Sequence, residues 1–236
     1  MQLSAPIHRL KHNAKRMARQ KPIALHEALD HIAVEEGFQS WSHLAAASAG
    51  ETPATAMMSN LKPGDLVLLG ARPGQGKTRV GLELACMAAI LGRQGYFFTL
   101  DYHERDIADL LASLNVDRAA GQFPITVDTS DDVSADYVIS RLQDTTSPAL
   151  IVVDYLQLLD QKRVNSSLPE QIAALRKFVK TSAAICVVIS QIDRMFDLSG
   201  KDLPDVSDVR LPNPLDLSVF DKTCFLHNGA ISINTP

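Results

Sequence analysis

From residue 66 onward, short uninterrupted runs of Val, Ile and Leu alternate with longer amphipathic stretches. The runs at 66–69, 150–153 and 185–189 are apolar throughout, as parallel strands covered on both faces must be. Residues 96–100 and 125–127 read as two further strands. Helical periodicity fills the intervals, over 78–91 (ended by Gly92), 107–114, 138–143 and 172–179. Near the end, 223–226 and 231–233 flank Asn228-Gly229, a pair that favours the left-handed backbone of a tight hairpin. The alternation predicts an α/β fold, a doubly wound and mostly parallel sheet with an antiparallel hairpin at its edge.

The chain before residue 60 follows another pattern. Ile7, Leu10, Ala14 and Met17 recur at helical spacing, with His8, Lys11, Lys15, Arg16 and Arg19 on the opposite side. Pro22 opens a second helix with the stripe Leu25, Ala28, Leu29 and Ile32. Gly37 stops it, and Phe38, Trp41 and Leu44 mark a third. The expected organisation is a small three-helix module over 1–48 packed around Trp41, a Pro- and Gly-containing linker over 49–59, and an α/β domain over 60–236. Charge divides in the same place. The first fifty residues hold six basic and four acidic side chains, whereas the whole chain holds 23 Lys and Arg against 27 Asp and Glu. No apolar run approaches the roughly 18 residues that span a bilayer. Cys86, Cys186 and Cys224 are far apart and lie in apolar stretches, which predicts reduced thiols and a cytoplasmic protein without membrane contact.

Candidate chemistry gathers at strand ends. Ala71-Arg-Pro-Gly-Gln-Gly-Lys77-Thr78 follows a predicted strand and opens a predicted helix, as a phosphate-binding loop does, with Ala in place of the first Gly. Gly74 and Gly76 let successive N–H groups turn inward toward phosphates. The expected nucleotide contacts are Ala71, Arg72, Pro73, Gly74, Gln75, Gly76, Lys77, Thr78 and Arg79; Lys77 reaches the β- and γ-phosphates of ATP, and the Thr78 hydroxyl ligates Mg²⁺. Asp154 closes the apolar run 150–153 and is either the second metal ligand or a helix cap. Asp101 and Glu104, beyond the neighbouring run, are the candidates for activating water, or else caps of the following helix.

These residues resemble the motor domain of DnaB-like replicative helicases, within the RecA-like ATPases. The resemblance covers about 60–234. It is carried by the phosphate loop, Phe97-Phe-Thr-Leu-Asp101, Val152-Val-Asp-Tyr-Leu-Gln-Leu158, Ile189-Ser-Gln191 and Asp205-Val-Ser-Asp-Val-Arg210. It implies that Asp101, standing where the family has Glu, is the catalytic base, and that Gln191 senses the γ-phosphate. It also implies a homo-oligomer acting on DNA. Two departures follow. The family's last strand carries Lys-x-Arg-Asn-Gly, whose Arg is a finger for the neighbouring subunit's site; here the segment is Phe225-Leu-His227-Asn228-Gly229. A neutral imidazole cannot fork onto phosphate oxygens as a guanidinium does, so turnover below that of finger-equipped motors and weak unwinding are expected, with Arg194 and Arg210 as substitutes to test. The family's collar domain gives way to the basic module.

Nucleic-acid contact is expected through Lys11, Lys15, Arg16 and Arg19. The segment 193–216 carries three basic residues against six Asp, a poor lining for a phosphate backbone; Lys162 and Arg163 are a thin addition. His26-Glu-Ala-Leu-Asp-His31 lacks the spacing of HExxH, and His8 with His12 makes a weak metal pair. The expected function is Mg-dependent ATP hydrolysis on or near DNA. The alternative is an ATP-dependent regulatory module with little turnover and no unwinding, docking a partner through its amino-terminal helices.

Overall fold

A computed structural model describes residues 4–5, 7–21, 23–47, 52–114, 125–143, 145, 147–159, 165–211 and 213–235. Among the described residues, seven strands form one sheet in the order β3-β2-β4-β5-β1-β6-β7. Their bounds are β1 Leu66–Ala71, β2 Gln94–Thr99, β3 Ile125–Asp128, β4 Ala149–Asp154, β5 Ile185–Gln191, β6 Lys222–His227 and β7 Ala230–Asn234. All neighbours run parallel except β6 and β7, which turn through Asn228 and Gly229, both at positive φ. The predicted fold is therefore the observed one.

Helices cover both faces. In chain order they are α1 Ile7–Gln20, α2 Leu25–Glu35, α3 Trp41–Ala47, α4 Pro53–Met58, α5 Lys77–Met87, α6 Glu104–Ala112, α7 Ala135–Leu142 and α8 Leu168–Ser182. Alternate strand residues feed opposite cores. Leu66, Leu68, Ile151, Val153, Cys186 and Val188 pack with α7 and α8, while Val67, Leu69, Leu150, Val152, Val187 and Ile189 pack with α4, α5 and α6. Local signals start the helices: Ser134 caps α7 by accepting from the Tyr137 N–H at 3.2 Å. At α8, Glu170 accepts from the Ser167 N–H at 2.9 Å, with Pro169 in the first turn.

Two glycines bring α5 close to the sheet. A Cβ on Gly95 would lie 2.0 Å from the Ala85 carbonyl oxygen, and one on Gly81 would meet Ile189 and Val152 at 2.9 Å. At Gly95 only hydrogen fits, and at Gly81 a methyl would push on side chains of β4 and β5, so α5 is seated closely on β2, β4 and β5.

Four expectations are corrected. Residues 53–58 of the expected linker form α4, started by Pro53 behind a Thr52 cap; Ala54, Met57 and Met58 are buried against the α/β core. Residues 48–51 lie outside the described residues. The expected helix over 78–91 is α-helical only to Met87 and closes in a 3₁₀ turn at Ala88–Leu91, tightened before the left-handed Gly92. In the amino-terminal module the fully buried residues are Ala14, Ala28, Ala33 and Leu44, whereas Trp41 is only partly buried. Trp41, at the first position of α3 with its backbone N–H donating to Asp30 at 2.8 Å, packs against this cluster while part of its surface stays in solvent. Leu25, expected in the second stripe, is exposed because it starts α2.

Candidate nucleotide site

The parallel strands deliver their carboxyl ends to one edge. Ala71 stands beside Gln191 and Thr99 beside Asp154 in the strand register, so four loops meet there. Gly74 (φ 77°) and Gly76 (φ 85°) are left-handed, and a Cβ on either would meet nothing within 4 Å. These glycines answer a conformational demand, not a packing one: the left-handed bends fold the loop back, with the Gln75 N–H donating to the Arg72 carbonyl at 3.2 Å, and lead into α5.

Thr78, in the first turn of α5, donates its hydroxyl to Asp154 Oδ2 at 2.7 Å. Lys77 Nζ lies 3.7 Å from Asp154 Oδ1 and 5.3 Å from the centre of the Tyr155 ring. Asp154 is 0% exposed, and its Oδ1 has no hydrogen-bond partner. Burial pushes its carboxyl above the usual range; Lys77 and the Thr78 hydrogen bond pull it down, and the charge of Asp101 raises it further. Asp154 is not a cap, because the 3₁₀ turn Leu156–Leu158 begins behind Tyr155. A buried carboxylate with one unsatisfied oxygen beside a threonine hydroxyl fits a hard divalent cation such as Mg²⁺, which accepts few protein oxygens and keeps its waters. Among the described residues no cluster of three or more His, Cys, Asp or Glu offers a metal site.

The two water-activating candidates separate. Asp101 is exposed just beyond β2 with its N–H donating to Thr99 Oγ1 at 3.2 Å, and its charge reaches both Asp154 and Tyr155. Glu104 sits exposed in the first turn of α6, where Asp106 makes the cap by accepting from the His103 N–H at 3.2 Å.

The flanking arginines turn elsewhere. Arg72 pairs with Asp197 at 2.9 Å and donates to the Ile192 carbonyl at 3.1 Å. Arg79 pairs with Glu83 at 3.2 Å and reaches Ser113. Gln75 Oε1 accepts from the Asn228 N–H at 2.6 Å, which ties the loop to the β6–β7 hairpin. Phe225 is buried against Gly70 and Ile192, and the His227 ring packs on Phe196 with centroids 5.0 Å apart and bonds Asn228 at 2.9 Å. Burial lowers the pKa of His227, with Asp197 opposing. Lys162 and Arg163 lie outside the described residues, as does the side chain of His8, while His12 is exposed.

Sequence reasoning assigned no role to Gln157. Its buried amide Nε2 donates to Ser190 Oγ at 2.9 Å and to the Arg210 carbonyl at 2.5 Å, and its Oε1 accepts from the Gln191 N–H at 3.2 Å. Its signal in the sequence was its place in the segment 152–158 that carries the resemblance, as a polar residue between Leu156 and Leu158.

Residues 114–217 match the family model described as the DnaB-like helicase C-terminal domain. The resemblance is to DnaB-like helicase motors. The match takes in Asp154, Gln157, Gln191 and Arg210 and starts after the phosphate loop. Among curated proteins, the replicative DNA helicase DnaB of Leifsonia xyli subsp. xyli is 26% identical over 192 residues, 68% of this chain and 42% of that protein. The DnaB of Haemophilus influenzae is 24% identical over 220 residues, 79% of this chain and 47% of its own length. The chain thus spans less than half of these relatives. Solved structures agree on the RecA-like fold. A DnaB-like replicative helicase, solved in a study of its interactions with primase, superposes with a TM-score of 0.59 at 19% identity, covering 93% of this chain and 65% of its own. A separately solved ATPase domain also gives 0.59, at 20% identity, covering 75% of each chain. A KaiC-like protein from Pyrococcus horikoshii gives 0.51 at 16% identity, covering 69% of this chain and 72% of that one.

Proposed function

We propose that this DnaB-like domain binds Mg-ATP at the 71–79 loop and hydrolyses it, acting on or near DNA as a homo-oligomer. The observation that carries the reading is the orphaned, fully buried Oδ1 of Asp154 beside Lys77 and the Thr78 hydroxyl. A carboxylate so placed is costly in an empty core, and a cation bound with a triphosphate relieves it. Mg²⁺, once bound by Thr78 and Asp154 with the phosphates, would neutralise charge building between the β- and γ-phosphoryl groups.

The protein's own residues do the rest. The Gly74–Gly76 bends hold the phosphates by backbone N–H groups, and Lys77 adds a charge-assisted contact. Asp101, exposed and accepting, takes the proton of the attacking water; Gln191, beside Ala71, contacts the γ-phosphate. Lys11, Lys15, Arg16 and Arg19, all exposed, meet the nucleic-acid backbone. A second reading, an ATP-dependent switch with slow turnover and no unwinding, is favoured by Phe225 and His227. Both are packed within this chain, and neither offers a finger cation.

Calorimetric titration of Lys77→Ala with Mg-ATP tests the site. ATP affinity should fall at least tenfold, the worth of one charge-assisted bond, while the fold survives. Unchanged affinity would sink the assignment.

A further inference from the structure

The cations at the rim of this site are mostly committed: Lys77 to Asp154, Arg72 to Asp197, Arg79 to Glu83 and Ser113. Arg210 is held differently. Its backbone N–H donates to the Gln191 carbonyl at 2.9 Å, its carbonyl accepts from Gln157 at 2.5 Å, and the next pair outward, Val209 and Ile192, forms an antiparallel bridge. The Arg210 backbone is therefore built onto the tip of β5, at a spacing that Gln157 fixes from the loop after Asp154. Its side chain is exposed, with Nη1 donating to Gln191 Oε1 at 3.5 Å. Its positive charge is felt at Tyr155, immediately after Asp154.

Resting on the Mg-ATP reading above, we propose that Arg210, positioned by Gln157, supplies in cis the cation that the last strand lacks, facing the γ-phosphate together with Gln191. The guanidinium hydrogen-bonds the Gln191 amide oxygen at 3.5 Å, and Gln191 stands in register with Ala71 at the start of the 71–79 loop. The forked donors of the guanidinium match phosphate oxygens where His227 cannot. The same contact gives the site a means of telling triphosphate from diphosphate.

The experiment compares the full-length protein with Arg210→Ala, Arg210→Lys and Gln157→Leu by calorimetric titration of Mg-AMP-PNP and Mg-ADP. Arg210→Ala should lower the preference for the triphosphate about tenfold, the worth of one charge-assisted hydrogen bond, with ADP affinity within about twofold. Arg210→Lys should keep part of that preference, and Gln157→Leu should follow Arg210→Ala. Steady-state turnover of Arg210→Ala should fall about 10²-fold, as when one preorganised donor is removed. Because Arg210 is exposed, its variants fold even if Gln157→Leu does not. An unchanged triphosphate preference in Arg210→Ala overturns the proposal while leaving the nucleotide site intact; failure of the unaltered protein to bind either nucleotide removes both. Mixing Arg210→Ala with Lys77→Ala should restore no activity. Recovery in the mixture would mean that the arginine acts across subunits and would overturn the assignment in cis.

Discussion

Asp154 is the residue at which structure and chemistry pull hardest against each other. Burial holds its carboxyl above the ordinary range of about 3.9, because desolvation outweighs the help of Lys77 and Thr78. A carboxyl raised in the folded state stabilises the fold fully below its unfolded pKa, and that contribution is lost as pH rises through the folded value. Without metal at pH 7, then, Asp154→Asn should melt at a higher temperature than the unaltered protein, and the gap should shrink as pH approaches 4. The same substitution should abolish Mg-dependent turnover. Thermal melts across pH in a chelating buffer check the first outcome, and a lower melting temperature for Asp154→Asn at pH 7 would contradict it. The position of Asp154 was legible in the sequence, since an acid ending an apolar strand lies at the sheet's carboxyl edge. Its orphaned oxygen was not, because that depends on what Lys77 and Thr78 leave unsatisfied.

At the scale of elements, the seat of α5 decides whether the proposed phosphate loop is in place. Gly95 on β2 faces the Ala85 carbonyl at a distance no Cβ tolerates. Gly95→Ala should cost about 2–3 kcal/mol by forcing helix and strand apart, and lower the melting temperature by several degrees. Nucleotide affinity should fall in parallel although residue 95 touches no ligand. Chemical denaturation with a parallel ATP titration measures both; full stability would mean that the helix has room to shift. The strands themselves could be read from their apolar runs, and the hairpin from Asn228-Gly229. What escaped was the close of α5 in a 3₁₀ turn and the helix at Pro53–Met58. The first has Ala88 buried while Ile90 and Leu91 stay exposed, and the second packs Ala54, Met57 and Met58 on the α/β core, contacts that local composition does not show.

At the scale of the whole molecule, the amino-terminal helices form a unit with a charge of its own. Its core, made of residues such as Leu10, Ala14, Ala28 and Leu44, is a separate cluster, and Lys11, Lys15, Arg16 and Arg19 are exposed along α1. Each phosphate contact a cation makes to single-stranded DNA contributes about −0.7 to the slope of log K against log salt. Changing all four to Glu should weaken binding irrespective of base sequence and flatten that slope by about 3, measured by fluorescence anisotropy at several salt concentrations. ATP hydrolysis without DNA should be unaffected. An unchanged slope would move the module to the docking of a protein partner.

Sequence alone determined the fold class, and it marked the glycine-rich turn at 71–78, Asp154 at a strand end and the change from a basic to an acidic stretch of chain. Each is written in local pattern: continuous apolar runs, glycine spacing, an acid at a strand end, clustered charge. Only the tertiary structure decided the sheet order, with β4 between β2 and β5, because parallel neighbours pair across crossovers that leave no trace in adjacent residues. It also turned Arg72 away to Asp197, a partner 125 positions distant, and tied Gln157 to Ser190, Gln191 and Arg210 across gaps of 33 to 53 residues. A side chain's type is local information. Its partner is chosen by the packing that brings distant segments together.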